Sequence, residues 1–195
     1  MRVIGGEKRG FKLSGESAGP VRPITDMAKE ALFNILGPDV AGVSVLDLFA
    51  GTGSLGIEAL SRGARRAVFV ERDPEVLGHL ERNIDRTGYV QEAEILRRDA
   101  YNMGGRLARL GPFDVVFVDP PYADTDALEP GSRAARLVAG LAVGGTLADG
   151  GWLVLRARKG SPAADLDFGL GPPDVRRYGT TLLLIYRKPL RPERS

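Results

Sequence analysis

Cysteine is absent from the 195 residues of this chain, and histidine occurs once. The absence of cysteine excludes disulfide bonds, thiolate metal sites and a cysteine nucleophile. The single histidine, His79, has Leu77 and Leu80 as neighbours in a predicted helix, where we expect it to be solvated or partly packed rather than catalytic. We expect no metal cofactor. A cysteine-free chain is typical of a reducing compartment, which predicts a cytoplasmic location.

Long apolar runs are missing as well. No stretch reaches the roughly 18 to 20 apolar residues that a membrane span requires, and the opening segment MRVIGGEKRG lacks the apolar part of a secretion signal. Hydrophobic residues make up 43% of the chain and charged residues 27%, which is ordinary for a folded globular protein. The length favours one main domain with a small appendage, and we expect a monomer without membrane association.

The net charge of +2 is distributed unevenly along the chain. Residues 1–22 contain five basic and two acidic side chains, and residues 152–195 contain nine and four, so the two ends have net charges of +3 and +5. The middle, residues 23–151, therefore has a net charge of −6. Basic ends suit contacts with a polyanion, whereas an acidic body suits a cationic ligand. A solvated tail explains the charges of residues 187–195 at least as well.

The first residues predict a small β-hairpin. Residues 2–13 are expected to form two short strands around a glycine-rich turn. Thr25 is a suitable N-cap for a helix that ends at about Leu36. We therefore divide the chain into a basic hairpin extension with its linker, residues 1–22, and a main domain, residues 23–195.

From residue 43 onward, short apolar segments alternate with helical ones. The predicted strands are VSVLDLF, AVFVE, AEILRRD, DVVFV, WLVLRAR and TLLLIYR. Helices are predicted near residues 56–63, 74–88 and 132–142, and LGPPDV near residue 170 is interpreted as a loop. Short apolar strands separated by helices predict an α/β fold with a parallel sheet covered on both faces.

Carboxylates lie where four of the predicted strands end, at Asp47, Glu71, Asp99 and Asp119. Ligands of open α/β sheets bind beyond the carboxyl ends of the strands. Any one of these acids alone is better explained as a helix cap. Four of them at one edge of the sheet indicate a site.

The segment DLFAGTGSLG, residues 47–56, follows the first of these strands and opens a helix, as nucleoside-binding loops do. It satisfies G-x-G-x-x-G, and Glu71 lies 20 residues after Gly51, where a dinucleotide-binding fold has its ribose-binding acid. A nicotinamide or flavin oxidoreductase is therefore an alternative. The acid before the glycines favours S-adenosylmethionine instead. Asp47 would compensate its cationic α-amino and sulfonium groups, whereas a pyrophosphate gains nothing from a carboxylate.

Each acid has an expected role around such a cofactor. Asp47 would contact the methionine end, and a structural role in binding loop amides is compatible with that contact. Glu71 would accept hydrogen bonds from both ribose hydroxyls. Asp99 would bind the adenine amino group, and the Ala100 amide would bind a ring nitrogen.

The sharpest motif is Asp119-Pro120-Pro121-Tyr122, directly after the strand DVVFV. The two prolines stiffen the loop and remove two amide donors, so the Pro120 carbonyl and the Asp119 carboxylate can converge as acceptors. Acceptors that bind the hydrogens of a planar exocyclic amine favour the geometry in which its lone pair attacks a methyl group, and they stabilise the developing positive charge. Tyr122 offers a stacking face worth about 1 to 3 kcal/mol to a flipped base. A stiff surface turn is the alternative interpretation.

Taken together, these segments resemble the RsmD-type 16S ribosomal RNA (guanine-N2) methyltransferases. The specific segments are RVIGGEKRGFKL and RPITDMAKEALFNIL, since DLFAGTG and DPPY alone indicate only an amino-methyltransferase. The resemblance implies a Rossmann-like class I methyltransferase fold with a seven-stranded, mostly parallel sheet and an antiparallel last strand. It also implies S-adenosylmethionine as the cofactor, S-adenosylhomocysteine as its product, and methylation of N2 of one guanine in small-subunit RNA complexed with ribosomal proteins.

Motifs and resemblance together define the candidate residues. The catalytic loop consists of Asp119, Pro120, Pro121 and Tyr122. The cofactor residues are Asp47, Phe49, Ala50, Gly51, Gly53, Glu71, Arg72, Asp99 and Ala100. The expected contacts with the target base or with RNA phosphates are Arg2, Lys8, Arg9, Lys12, Arg22 and Thr25. Arg156 stands where we expect an acidic residue in many relatives, so no substrate role is assigned to it.

Two further alternatives stay open on the sequence. A related enzyme would methylate adenine N6 in DNA, and the identity of the modified nucleoside would separate the two. A non-catalytic RNA-binding or assembly factor would have a vestigial cofactor pocket, against which the intact acidic strand ends argue.

Overall fold

The structure is a computed structural model, and it describes residues 1–15 and 24–190. The strands are β1 (Ser44–Leu48), β2 (Arg66–Glu71), β3 (Ala93–Arg97), β4 (Phe113–Val118), β5 (Leu147–Arg158), β6 (Asp174–Tyr178) and β7 (Thr181–Arg187). The α-helices are α1 (Asp26–Leu36), α2 (Ser54–Ser61), α3 (Pro74–Thr87), α4 (Arg106–Leu110), α5 (Tyr122–Asp126) and α6 (Arg133–Val143). Short 3-10 helices lie at Gly37–Val40, Ala100–Asn102 and Pro162–Asp165. Within the described ranges, no helix is long and apolar enough to cross a membrane.

The strands form one sheet in the order β3-β2-β1-β4-β5-β7-β6. The pairs among β1 to β5 are parallel, and β7 runs antiparallel to both β5 and β6. The chain order reverses between β1 and β4, and open α/β sheets bind their ligands at such a switch point. The predicted α/β class, with a seven-stranded, mostly parallel sheet and an antiparallel last strand, is confirmed.

Side chains of the central strands alternate between two apolar cores. On β4, Val115 and Phe117 belong to the core that α1, α2 and α3 cover, and Val116 and Val118 belong to the core that α4 and α6 cover. Because both faces are buried, these strands are nearly continuous apolar runs. That is why the sequence identifies them.

Capping side chains define where the helices begin. The Thr25 hydroxyl accepts a hydrogen bond from the Ala28 amide at 3.2 Å, and α1 ends at Leu36 as predicted. The Asp73 carboxylate caps α3. Ser132 caps α6 through the Ala135 amide.

Three parts of the fold differ from the sequence-based expectation. The loop interpretation is wrong at residues 174–175, because they begin β6, a polar edge strand of sequence DVRRY without an apolar run. β5 begins at Leu147 rather than at Trp152. Helices α4 and α5 have five residues each and are too short for a periodic pattern to reveal them.

The N-terminal segment, residues 1–15, turns back on itself and packs into the protein. The segment is an antiparallel hairpin as predicted, with an Arg2–Lys12 bridge and a hydrogen bond from the Val3 amide to the Phe11 carbonyl at 2.9 Å, but its pairing is limited to this bridge instead of two full strands. Val3 and Leu13 are buried in the core on the α1 side of the sheet. A side chain at Gly6 would collide with the Ser61 carbonyl, so glycine lets the segment lie directly on the end of α2. The domain boundary after residue 22 stays a prediction, and Arg22 lies outside the described residues.

Candidate active site

A cavity opens where β1 to β4 end, at the predicted edge of the sheet. It is lined by ten residues of the sequence-based prediction: Asp47, Phe49, Ala50, Gly51, Glu71, Arg72, Asp99, Ala100, Asp119 and Pro121. The other three predicted site residues are not among its lining residues: Gly53 is the N-cap of α2, Pro120 is buried directly after Asp119, and Tyr122 begins α5. The four acidic strand ends thus share one cavity.

The glycine loop between β1 and α2 has a tight backbone conformation. Phe49, Gly51 and Gly53 have φ angles of 60°, 57° and 85°, which glycine adopts readily and other residues rarely do. The Gly51 amide donates to Glu71 Oε2 at 2.9 Å. A Cβ at Gly53 would lie 2.5 Å from Leu80 Cδ1, so glycine there allows α3 to pack against the loop.

Asp47 lines the cavity with 1% of its surface exposed. Its Oδ2 accepts a hydrogen bond from the Gly56 amide at 2.9 Å, so the carboxylate also binds the start of α2. Burial raises the pKa of Asp47 well above its usual range, and the charges of Asp119 and Glu71 raise it further, against the Gly56 hydrogen bond. A cationic group in the cavity would relieve this repulsion.

Glu71 already binds three backbone amides. Its Oε2 accepts from Gly51, and its Oε1 accepts from Arg72 at 2.8 Å and from Asp73 at 2.9 Å. Each carboxylate oxygen has more than one acceptor site. The side chain therefore orders the loop and still presents lone pairs to the cavity that it lines.

Asp99 closes the next strand in the same manner. Its Oδ1 accepts from the Tyr101 amide at 3.0 Å and caps a 3-10 turn. Its Oδ2 accepts from Arg72 Nη1 at 2.7 Å. The sequence predicted both residues at the cofactor site but not their ion pair, which neutralises part of the acidic cluster.

Asp119 and Arg156 form a buried ion pair between neighbouring strands. Val118 of β4 pairs in register with Leu155 of β5, so the residues that follow each of them are neighbours. Arg156 Nη1 donates to Asp119 Oδ2 at 2.5 Å, and the side chains are 3% and 15% exposed. Burial raises the pKa of Asp119, while the charge of Arg156 acts to lower it. Asp119 Oδ1 is buried and accepts no hydrogen bond from the described part of the chain.

Two arginines of β5 lie close to the Tyr122 ring. The guanidinium carbons of Arg156 and Arg158 are 5.2 Å and 5.1 Å from its centroid. Its hydroxyl accepts from Arg156 Nη2 at 2.9 Å and lies 3.5 Å from Thr181 Oγ1. Arg156 thus connects the Tyr122 hydroxyl to the Asp119 carboxylate. The role of Tyr122 as a stacking face for a base stays a prediction.

Several residues of the cavity were not predicted. Met1, Gly15 and Ile24 bring the N-terminal part of the chain to its wall, and Arg98 and Tyr101 line it as well. The sequence contains no local signal for the first three, because their position depends on how residues 1–15 and the start of α1 pack against the rest of the chain. Arg98 directly precedes Asp99, and its proximity to a strand-end acid is the signal that could have identified it.

The predicted RNA contacts lie in different surroundings. Arg2 pairs with Asp26 at 2.9 Å, and Lys8 pairs with Glu7 at 2.8 Å. Arg9 and Lys12 are exposed. Thr25, expected near the cofactor or the target base, uses its hydroxyl to cap α1 and is not among the cavity residues.

Known proteins resemble this chain in sequence and in fold. The Escherichia coli protein named Ribosomal RNA small subunit methyltransferase D is 42% identical over 123 residues, which are 63% of this chain and 60% of that protein. This match therefore spans less than two thirds of the relative. A Thermus thermophilus structure described as a hypothetical protein is 32% identical, with a TM-score of 0.76 and coverage of 95% of this chain and 98% of that chain. An RNA methyltransferase from Salinibacter ruber, solved with S-adenosylhomocysteine, is 19% identical, with a TM-score of 0.60 and coverage of 88% and 97%, and shares the fold.

The family comparison covers almost the whole chain. The model described as conserved hypothetical protein 95 matches residues 1–187, which include the N-terminal segment, the glycine loop and the Asp119 to Tyr122 loop. The predicted Rossmann-like methyltransferase fold and the resemblance to RsmD-type proteins are confirmed, and the chain belongs to the conserved hypothetical protein 95 family.

Proposed function

We propose that this chain transfers a methyl group from S-adenosylmethionine to the exocyclic N2 amine of a guanine in small-subunit ribosomal RNA. The observation that carries the proposal is the buried Oδ1 of Asp119, an acceptor that no described donor occupies, on a residue that lines the glycine-loop cavity. An amine hydrogen is the complementary partner of such an oxygen. The name of the Escherichia coli relative supports ribosomal RNA as the substrate class.

S-adenosylmethionine fits the donors and acceptors of the cavity. The buried Asp47 suits the cationic methionine end, Glu71 suits the ribose hydroxyls, and Asp99 with the Ala100 amide suits the adenine edge. When bound, the cofactor supplies an activated methyl group and leaves as neutral S-adenosylhomocysteine. This loss of positive charge weakens the attraction to Asp47 and favours product release.

The Asp119 loop prepares the amine that accepts the methyl group. Asp119 Oδ1 and the Pro120 carbonyl accept its two hydrogens, which directs the nitrogen lone pair out of the base plane towards the cofactor. As the nitrogen–methyl bond forms and the sulfur–methyl bond of the cofactor breaks, the ionised Asp119 would stabilise the positive charge on the nitrogen and then accept the proton that the methylated amine loses, before passing it to solvent. The target base leaves its stack to reach this position, and Tyr122 stacks on it from α5.

The basic N-terminal segment binds the RNA backbone. Arg9 and Lys12 are exposed, and Arg2 and Lys8 form ion pairs at the surface that a phosphate can replace. The substrate is an assembled small subunit rather than free RNA, and the protein acts as a cytoplasmic monomer.

Product analysis tests the proposal. Small-subunit particles and naked RNA from cells without the gene are incubated with the protein and isotopically labelled S-adenosylmethionine, and the nucleosides are identified by mass spectrometry. We expect labelled N2-methylguanosine. Labelled N6-methyladenosine would show that the target is the N6 amine of adenine and would overturn the assignment to guanine. Binding of a nicotinamide dinucleotide but not of S-adenosylmethionine in calorimetry would overturn it.

A further inference from the structure

We propose that Arg156 is a positioning residue that holds the Asp119 carboxylate ionised and turns its Oδ1 towards the substrate amine. This inference rests on the proposed function, because it assigns to Asp119 the role of binding the reacting nitrogen. No role was assigned to Arg156 from the sequence, where an acidic residue was expected.

The sheet register places the pair at a fixed position. Asp119 and Arg156 follow Val118 and Leu155, which are paired across the parallel strands β4 and β5. Both strands are buried at these positions, so neither backbone can shift without disturbing the core. The ion pair therefore joins the first residue of the catalytic loop to the middle of β5.

Arg156 contacts both ends of the catalytic loop. Its Nη1 donates to Asp119 Oδ2, and its Nη2 donates to the Tyr122 hydroxyl at 2.9 Å. The planar guanidinium fork fixes the angle between its two partners, which a lysine ammonium cannot do. One side chain thus sets the carboxylate and the phenol relative to each other.

Arg156 binds Oδ2, so Oδ1 is the oxygen of Asp119 that has no donor from the described residues. Asp119 Oδ1 is buried without a donor from the described residues, and an unmet buried acceptor is costly unless a ligand satisfies it. If the carboxyl were protonated, it would offer a donor where an acceptor is needed. The charge state of Asp119 therefore decides whether the site can bind an amine hydrogen.

Burial and the neighbouring charges oppose each other at this carboxyl. Burial favours the neutral acid, and Arg156 favours the carboxylate. Two further groups belong to the described surroundings of Asp119: Asp47 from β1, whose own pKa is raised by the charge of Asp119, and the Tyr122 phenol from α5, which is joined through Arg156. Arg156 is the cation among them.

Arg158 provides a matched control on the same strand. Its guanidinium carbon also lies 5.1 Å from the centroid of the Tyr122 ring, but its side chain is 53% exposed and pairs with Asp126 rather than with Asp119. Arg158→Met removes a guanidinium beside Tyr122 while the Arg156–Asp119 pair stays intact.

The experiment measures kcat against pH for the wild type, Arg156→Met, Arg156→Lys and Arg158→Met. Activity falls as the pH drops through the pKa of Asp119, because the carboxylate is then protonated. Without Arg156 that pKa is higher, so we expect the acid limb of Arg156→Met to move up by about 1 to 3 pH units. Arg156→Lys keeps the charge and should move it less, and Arg158→Met should leave its position unchanged. An acid limb that stays in place in Arg156→Met overturns the inference.

A second measurement does not depend on turnover. In protein labelled with 13C at the aspartate carboxyl carbons, the Asp119 resonance is assigned by its loss in Asp119→Asn, and its titration midpoint is compared in the wild type and Arg156→Met. Arg156→Gln is titrated in parallel, so that poor folding of the methionine variant does not decide the result. An inactive wild type with a shifted midpoint would overturn the proposed function and retain the control of Asp119 by Arg156. An active wild type with an unshifted midpoint would overturn the inference alone.

Discussion

Two buried ion pairs in this protein have similar chemistry but differ in whether all of their polar atoms have hydrogen-bond partners. In the first, Lys29 and Glu58 lie 3.3 Å apart and both side chains are fully buried. In the second, Arg156 and Asp119 lie 2.5 Å apart between β4 and β5. The first pair has a partner for every donor and acceptor, and the second leaves one carboxylate oxygen open.

The complete pair anchors the N-terminal segment. Lys29 Nζ donates to the Arg2 carbonyl at 2.6 Å and to Ser54 Oγ at 3.1 Å. Glu58 accepts from the amides of Ile4 and Gly5 at 2.7 Å and 2.8 Å, and Arg62 Nε adds a further hydrogen bond at 2.8 Å. A network with these partners stabilises one docked position of the segment.

The incomplete pair lies in the cavity. An open acceptor next to a buried arginine has a free-energy cost for the folded protein, and such costs concentrate at functional sites. The comparison teaches that burial and charge alone do not distinguish a structural pair from a functional one. What distinguishes the Arg156–Asp119 pair is that its open acceptor, Asp119 Oδ1, belongs to a residue that lines the cavity.

The largest effect that this comparison predicts is the loss of turnover in Asp119→Ala. The variant removes the oxygen that accepts the amine hydrogen, so we expect kcat to fall by at least about 100-fold. Affinity for S-adenosylmethionine, measured by calorimetry, should survive, because Asp47, Glu71 and Asp99 are unchanged. Full activity in this variant would end the proposed mechanism.

Breaking the Lys29–Glu58 pair should lower the stability of the protein. Lys29→Met leaves the buried Glu58 carboxylate with one cation fewer, and we expect the free energy of unfolding to fall by about 3 to 5 kcal/mol. Urea titration measures it. The control is Arg97→Met, which breaks the exposed pair with Glu81 and should cost less than about 1 kcal/mol. Equal losses in the two variants would contradict the structural role of the buried pair.

The anchored segment gives a third and smaller effect. If its basic side chains bind phosphates, exchange of Lys8, Arg9 and Lys12 for glutamine should reduce the slope of log affinity against log salt by about 2 to 3. RNA binding is measured over a series of salt concentrations. Affinity for S-adenosylmethionine serves as the control and should not change. An unaltered slope would mean that these side chains of the N-terminal segment do not bind RNA phosphates.

The sequence predicts most of this fold and only part of the site. The buried strands are recognisable as apolar runs, and the acids of the site are recognisable because each lies where such a run ends. The polar edge strand β6 has no such run. The Arg156–Asp119 contact depends on the register of β4 with β5, and the wall around Met1 depends on the Lys29–Glu58 anchor. Both are contacts between distant parts of the chain, which no local pattern contains.

The smallest predicted effect concerns Asp47, a third buried carboxylate. Its pKa is raised in the free protein by burial and by neighbouring acids, and a cationic ligand beside it should lower that pKa. Binding of S-adenosylmethionine should therefore release a fraction of a proton per site, measured as the dependence of the calorimetric heat on the ionisation enthalpy of the buffer. S-adenosylhomocysteine, which lacks the sulfonium charge, should release less, and Asp47→Asn should remove the difference. Equal proton release by both ligands in the wild type would place the sulfonium away from Asp47.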